Sequence, residues 1–421
     1  MPRCGMAPRF PVRALLAALL ALTLGTCALR YRASLPDPAP PLAADRDTRW
    51  RQDIAYFTRN LARLHLNAFH TLPREVFEVR AAQLAGRVPD LSDAAIVTEL
   101  TRLAAAIGDG HTGVYDLEGR FLKRQLPLRF AAFPEGLFIT EAAPHYAHLL
   151  GGQVLAVNGS PTAQVRARLA PLVPQGEGSS WVNRTWPALL TRPDLLAGVG
   201  LGPAQTVTLT LQVNGQDLQA KVASRVASAD RAGWRSAAAA APSWAQPGDV
   251  WFTPVGKAVY LRLAGSPPDL ARRSRELLLT LDRTRPERLV VDLRDHGGGD
   301  YTRLAPLLTG LQRRPWLKVH ALIGPRTFSA GVINAAQLQA LGATLVGEVS
   351  GGRPNGYSER RRFTLPASGL TVDYSVRVYR FAPGDPDGLQ PDWPVVQTFA
   401  DFTAGRDLAL DRALNGESGA R

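Results

Sequence analysis

A chain of 421 residues is long enough for two or three domains, and 45% hydrophobic with 20% charged residues fits a globular chain with a sizeable core. The formal charge of +13 invites a nucleic-acid reading, but the arginines are scattered, only Arg360-Arg361-Arg362 forms a run of three, and no aromatics interleave with them, so nucleic acid is not expected as a partner. Both cysteines, Cys4 and Cys27, fall within the first thirty residues, which excludes a disulfide, a thiol nucleophile or a Cys/His zinc site in the rest of the chain; neither a metal nor any other cofactor is expected.

In chain order, Arg3, Arg9 and Arg13 precede an apolar run from Ala14 to Leu29 that Arg30 and Arg32 close. A positive start and a short apolar stretch predict an export signal over residues 1–33. The run is slightly short of the roughly 20 residues a membrane span needs, which leaves an uncleaved anchor as an alternative. Leu24-Gly25-Thr26-Cys27 is a loose match to a lipoprotein cleavage box. Export without disulfides points to a bacterial-type envelope, with the protein periplasmic, attached to the membrane through its first segment, or secreted.

Residues 34–46, rich in proline and alanine, read as a linker. Trp50, Ile54, Phe57, Leu61 and Leu64 then recur at helical spacing. A second helix is predicted from Pro73 to about Leu84 and a third from Ser92 to Ile107, where Gly108 stops it. These define a helical domain over 47–113. Residues 114–225 are β-rich, with short strands Gly136–Thr140 and Val154–Val157 and a hairpin at Asn214-Gly215; Ser179 to Leu201 reads as helical cover for a cleft. Residues 226–248, with the alanine tract Ala237–Ala241, read as a second linker. Residues 249–413 alternate strand and helix: strands at Ala258–Leu263, Leu289–Leu293, Val319–Ile323 and Thr344–Val346, helices at Asp269–Leu281, Asp300–Leu311 and Gly331–Leu341. Such alternation predicts βαβ units around an internal sheet, with 414–421 as a tail.

Ser329 stands where the third of these strands hands over to a helix. Free N–H groups and the helix dipole favour negative charge there, which suits a nucleophile, but a serine there is also a common cap. The strand Leu289–Leu293 runs into Asp295-His296-Gly297-Gly298-Gly299-Asp300, and one tight turn accounts poorly for three glycines; bare amides aimed at a ligand account for them better. A nucleophilic serine needs a base. His111, in Gly108-Asp109-Gly110-His111-Thr112, has glycine neighbours and freedom to point into a cleft, and His296 in the glycine loop is its main rival.

Four stretches together, Gly108–Thr112, Leu289–Gly299, Thr327–Gly331 and Val346–Asn355, resemble the tail-specific (C-terminal processing) serine peptidase and tricorn core protease superfamily. The resemblance implies an α/β fold: a ClpP/crotonase-like catalytic core, with an N-terminal helical domain and a β-rich PDZ-like domain. It implies Ser329 as nucleophile and an oxyanion hole from the amides of Ala330 and Gly298. The processing branch activates its serine with a downstream lysine, but no lysine follows Lys318, and Gly356 and Tyr357 occupy the matching place. The tricorn-like branch implies His111 as base, held by a carboxylate in Gly384–Gly388: Asp385 first, Asp387 second, Glu359 a further candidate. The implied activity is that of an exported serine peptidase acting on polypeptides; the rival reading is a catalytically inactive ligand- or peptide-binding protein on the same scaffold.

Overall fold

The computed structural model describes residues 35–416. The export segment predicted over residues 1–33 lies outside them. Among the described residues, no helix is long and apolar enough to cross a membrane.

Three helices open the described chain. The first, Arg46–Leu64, starts where the Asp45 side chain accepts from the Thr48 amide. The second is Arg74–Arg87, with Pro73 at its cap; the third, Asp93–Ala105, starts where Ser92 accepts from the Ala95 amide. Their apolar faces, including Phe57, Leu61, Phe77, Ile96 and Leu100, form one core. That core is completed from far downstream. A long antiparallel hairpin, Asn355–Thr364 with Thr371–Arg380, contributes Phe363, Leu365, Leu370, Val372 and Tyr374. The buried Asp53 carboxylate accepts from the Ala367 and Ser368 amides at the hairpin's turn (2.9 and 2.7 Å), and the strand Gly113–Tyr115 pairs with the hairpin's second strand. Strand alternation within 249–413 did not indicate that this stretch leaves the α/β layer.

The middle of the chain forms a seven-stranded sheet whose strand pairs are all antiparallel. Asn214 and Gly215 both take positive φ (51° and 79°), as a two-residue hairpin demands, and Val213 pairs with Gln216 across the turn. The stretch expected to be helical divides into Ser179–Leu189 and Pro193–Gly198. In the expected linker, Arg235–Ser236 adds a short strand beside Glu141 and Ala142.

The last region is a six-stranded sheet in the order Val250–Val255, Ala258–Leu263, Arg288–Asp292, Lys318–Ile323, Thr344–Gly347 and Trp393–Pro394. The first pair is antiparallel and the other four pairs are parallel. The alternation of strand and helix in the sequence predicts this arrangement, because parallel neighbours need crossover connections. On one face Leu261, Leu289, Val291 and Ile323 pack against Leu277, Leu307 and Val332 of the crossover helices. On the other, Tyr260, Val290, Leu322 and Val346 meet Leu410 and Ala413 of the helix Leu408–Asn415. The helix predicted over Asp300–Leu311 is a 3₁₀ turn, Tyr301–Leu304, continued by Ala305–Gln312, with the Asp300 side chain as cap.

Candidate active site

The strand Lys318–Ile323 ends in a turn built around Thr327, which is fully buried. Its hydroxyl donates to the Leu293 carbonyl (2.9 Å) and accepts from the Gly324 amide (3.0 Å). The Phe328 amide donates to the His296 carbonyl (3.0 Å), which ties this turn to the glycine loop of the neighbouring strand. Ser329 follows with φ 53° and ψ −122°, a region that costs a non-glycine residue on the order of 1–3 kcal/mol. The helix Ala330–Ala340 starts directly after it. Ser329 makes no side-chain cap bond. Its hydroxyl lies instead 3.0 Å from His111 Nε2, across 218 residues of sequence. Gly331 is fixed by space: a Cβ there would sit 2.2 Å from the His296 carbonyl oxygen.

His111 is positioned by the residue two before it. The Asp109 carboxylate accepts from the His111 amide (2.8 Å), the Thr112 hydroxyl (2.7 Å), the Ser375 hydroxyl (2.8 Å) and His65 Nε2 (2.7 Å). His65 Nδ1 accepts from the Asn67 amide, so Nε2 carries the proton it gives to Asp109. Burial alone would raise the Asp109 pKa, but His65 and the hydroxyl bonds hold it at about 2. The His111 ring stacks on Phe328 (4.8 Å between centroids, 25°), and Phe328 stacks in turn on Trp181 (4.3 Å, 20°). Burial lowers the His111 pKa and Arg360 adds to that; the Asp109 charge and the Tyr357 main chain act the other way. The balance favours the neutral ring.

His111 Nδ1 is buried and makes no well-formed hydrogen bond. None of the three expected carboxylates reaches it. Asp385 pairs with Arg353 at 2.8 Å and Asp387 faces the same guanidinium at 3.8 Å, both carboxylates largely exposed. Glu359 pairs with Arg377 at 2.9 Å and accepts from the Tyr379 hydroxyl.

The glycine loop lies against Ser329. Gly298 and Gly299 have φ of 137° and 128°, and a Cβ on Gly298 would stand 3.1 Å from Ser329 Cβ. The Gly298 amide is turned toward His296 Nδ1 at 3.3 Å, a long contact that a stronger acceptor could displace. The Ala330 amide opens the helix, at the positive end of its dipole. His296 is fully buried, its pKa lowered by burial to about 4, with Nε2 3.4 Å from the Ser266 hydroxyl. It thus braces the glycine loop from beneath, while His111 meets the serine.

One site residue escaped the sequence reading. Glu177, between Gly176 and Gly178, is buried beside the His111 loop and accepts from the Gly110 amide. The only signal was an acid between two glycines ahead of a predicted helix.

Among solved structures, the chain is similar to mature CPAF complexed with lactacystin: 13% identity, 86% of this chain and 96% of that chain covered, TM-score 0.63. It is also similar to mature CPAF at 13% identity, with 86% and 95% covered and a TM-score of 0.59. No family model matches the chain, and no curated sequence matches it. A likeness at this identity establishes a shared fold, a mixed helix-and-sheet architecture over nearly the whole described chain.

Proposed function

We propose that the chain is a serine peptidase that cleaves polypeptides through an acyl-enzyme. The observation that carries this reading is the 3.0 Å contact between Ser329 Oγ and His111 Nε2, made by a serine released from its capping role and held at positive φ. Ser329 Oγ attacks the scissile carbonyl while His111 Nε2 takes its proton. The carbonyl oxygen becomes an oxyanion, and the amides of Ala330 and Gly298 stabilise it, a contribution of about 3–4 kcal/mol. Collapse expels the amine, which leaves with the proton from His111. Water, deprotonated by the same imidazole, then hydrolyses the ester and regenerates the serine. The shared fold with CPAF agrees with this reading. The finer expectations belong to it as well: a ClpP/crotonase-like core, a PDZ-like middle domain, and export directed by residues 1–33.

A second reading, a catalytically inactive binding protein on the same scaffold, draws on the absence of a carboxylate at His111 Nδ1. A fluorophosphonate probe separates the two. Labelling of the wild type that disappears in Ser329→Ala supports the peptidase. Failure of folded wild type to label at any pH between 5 and 9 overturns it in favour of the binder.

A further inference from the structure

Glu177 is only 4% exposed, and acyl-enzyme chemistry as set out above gives it no task. It ends the short turn Gln175–Glu177, just ahead of the helix Ser179–Leu189 whose Trp181 covers Phe328. Its two carboxyl oxygens are divided between two loops. One accepts from the Gly110 amide at 2.8 Å, and Gly110 is the residue before His111. The other accepts from the Arg353 amide at 3.1 Å. Arg353 follows Gly351 and Gly352, whose amides donate to the carbonyl of Thr327, two residues before Ser329. A single carboxylate thus spans from the base's loop to the turn that presents the nucleophile. The approach is close enough to exclude side chains: a Cβ on Gly176 would lie 2.3 Å from the Gly108 carbonyl oxygen, and one on Gly110 would lie 3.0 Å from Glu177 Cγ. Arg353 closes the frame, its guanidinium donating to the Gly176 carbonyl (3.0 Å) and pairing with Asp385.

We infer that Glu177 is a second carboxylate, beside Asp109, that positions His111, acting on the main chain of its loop rather than on its ring and taking the positioning role expected of Asp385, Asp387 or Glu359. The inference rests on the peptidase reading and names a positioning residue for it. An ionised carboxylate accepts from two N–H groups at once. Protonation puts an O–H on one of those oxygens and weakens its bond, so the loop slackens. Glu177 is faced by the Asp109 carboxylate on one loop and by the Arg353 guanidinium on another, with Asp385 and Asp387 beyond that arginine. Burial raises its pKa to about 7; the Gly110 and Arg353 amides pull it down, the Asp109 charge adds to the rise, and the Arg353 charge opposes it. Burial lowers the His111 pKa and raises that of Glu177, so the acid limb expected on this inference is that of Glu177.

The test is the rate of fluorophosphonate labelling at Ser329 from pH 5 to 9, in the full chain and in Glu177→Gln and Glu177→Asp, with thermal unfolding measured alongside. Wild-type labelling is expected to fall as pH drops through about 7. Glu177→Gln should label roughly tenfold more slowly at pH 8, with its acid limb displaced to lower pH. Glu177→Asp should recover part of the rate. The folded-state pKa lies above the unfolded one, so the stability this group contributes is fully present below about pH 4.5 and lost as pH rises through about 7. Glu177→Gln should therefore lack that decline, and at pH 8 its Tm should not fall. A wild-type labelling rate and acid limb in Glu177→Gln would overturn the inference, as would an equal slowing at every pH with a lowered Tm. Should Glu177→Gln not fold, the wild-type profile decides, and an acid limb well below pH 7 overturns it. Wild type that folds and never labels overturns the peptidase reading instead.

Discussion

On the proposed reading Ser329 carries both the chemistry and the strain of the site. Its positive φ suits glycine, so Ser329→Gly should abolish labelling while raising stability by about 1 kcal/mol, read as a later denaturant midpoint. Loss of both stability and labelling would mean that the hydroxyl also serves the fold. His111→Ala should lower turnover by about 10⁶-fold, and His296→Ala, which removes a brace and not the base, should lower it less. A reversed ranking would make His296 the base. Asp385→Asn and Asp387→Asn each remove an exposed partner of Arg353, so each should change stability by less than about 1 kcal/mol and leave turnover close to wild type. A large loss of turnover in either would restore that residue to the relay. Asp109 gives the opposite pH sign to Glu177. Its folded-state pKa lies below its unfolded one, so its contribution, on the order of 2 kcal/mol, is present above about pH 4 and is lost as pH falls through about 2. An acid-unfolding curve of Asp109→Asn that kept this component would contradict the assignment.

At the scale of elements, the strand–turn–helix around Ser329 is legible because the apolar run Val319–Ile323, the turn pair Gly324-Pro325 and the helical periodicity after Gly331 all agree there. Its backbone strain was not legible, since nothing in a serine's identity reports φ. The glycines were readable as close approaches, yet not what approaches them: Gly331 meets the His296 carbonyl and Gly298 meets Ser329. Gly331→Ala should therefore displace the turn, losing labelling together with stability, and wild-type labelling in that variant would show that the turn can yield. The sequence resemblance points to Gly384–Gly388 for the carboxylate, but Arg353 pairs with that segment's acids. Glu177 went unnoticed because its role depends on two main-chain amides contributed by distant loops, and a sequence shows side chains only. The hairpin Asn355–Arg380 was missed for a related reason. Its outer positions carry Arg360, Arg361 and Arg362, so the stretch reads as a solvated strand end, while the apolar residues that matter face a helical core some three hundred residues upstream.

For the whole molecule, this hairpin decides how separable the parts are. The helical layer lacks Phe363, Leu365, Leu370 and Val372 until the hairpin is present. Full burial of four such side chains is worth about 6–12 kcal/mol, comparable to the entire stability of many domains. In a fragment of residues 35–350 the helical layer should therefore unfold non-cooperatively and its NMR signals lack dispersion, while the middle sheet, whose core holds no hairpin residue, keeps its own. Dispersed signals from residues 46–105 would show that the helical layer closes without the hairpin.

The hairpin also imposes a timetable. The loop bearing His111 leaves the ribosome long before Ser329, and the Ser375 hydroxyl that helps hold Asp109 arrives later still. On the proposed peptidase reading, a partly made chain thus holds its base and its nucleophile unassembled, and bond cleavage waits until synthesis is nearly over. If the chain crosses a membrane before folding, the same delay carries it past its maker's own proteins while still harmless.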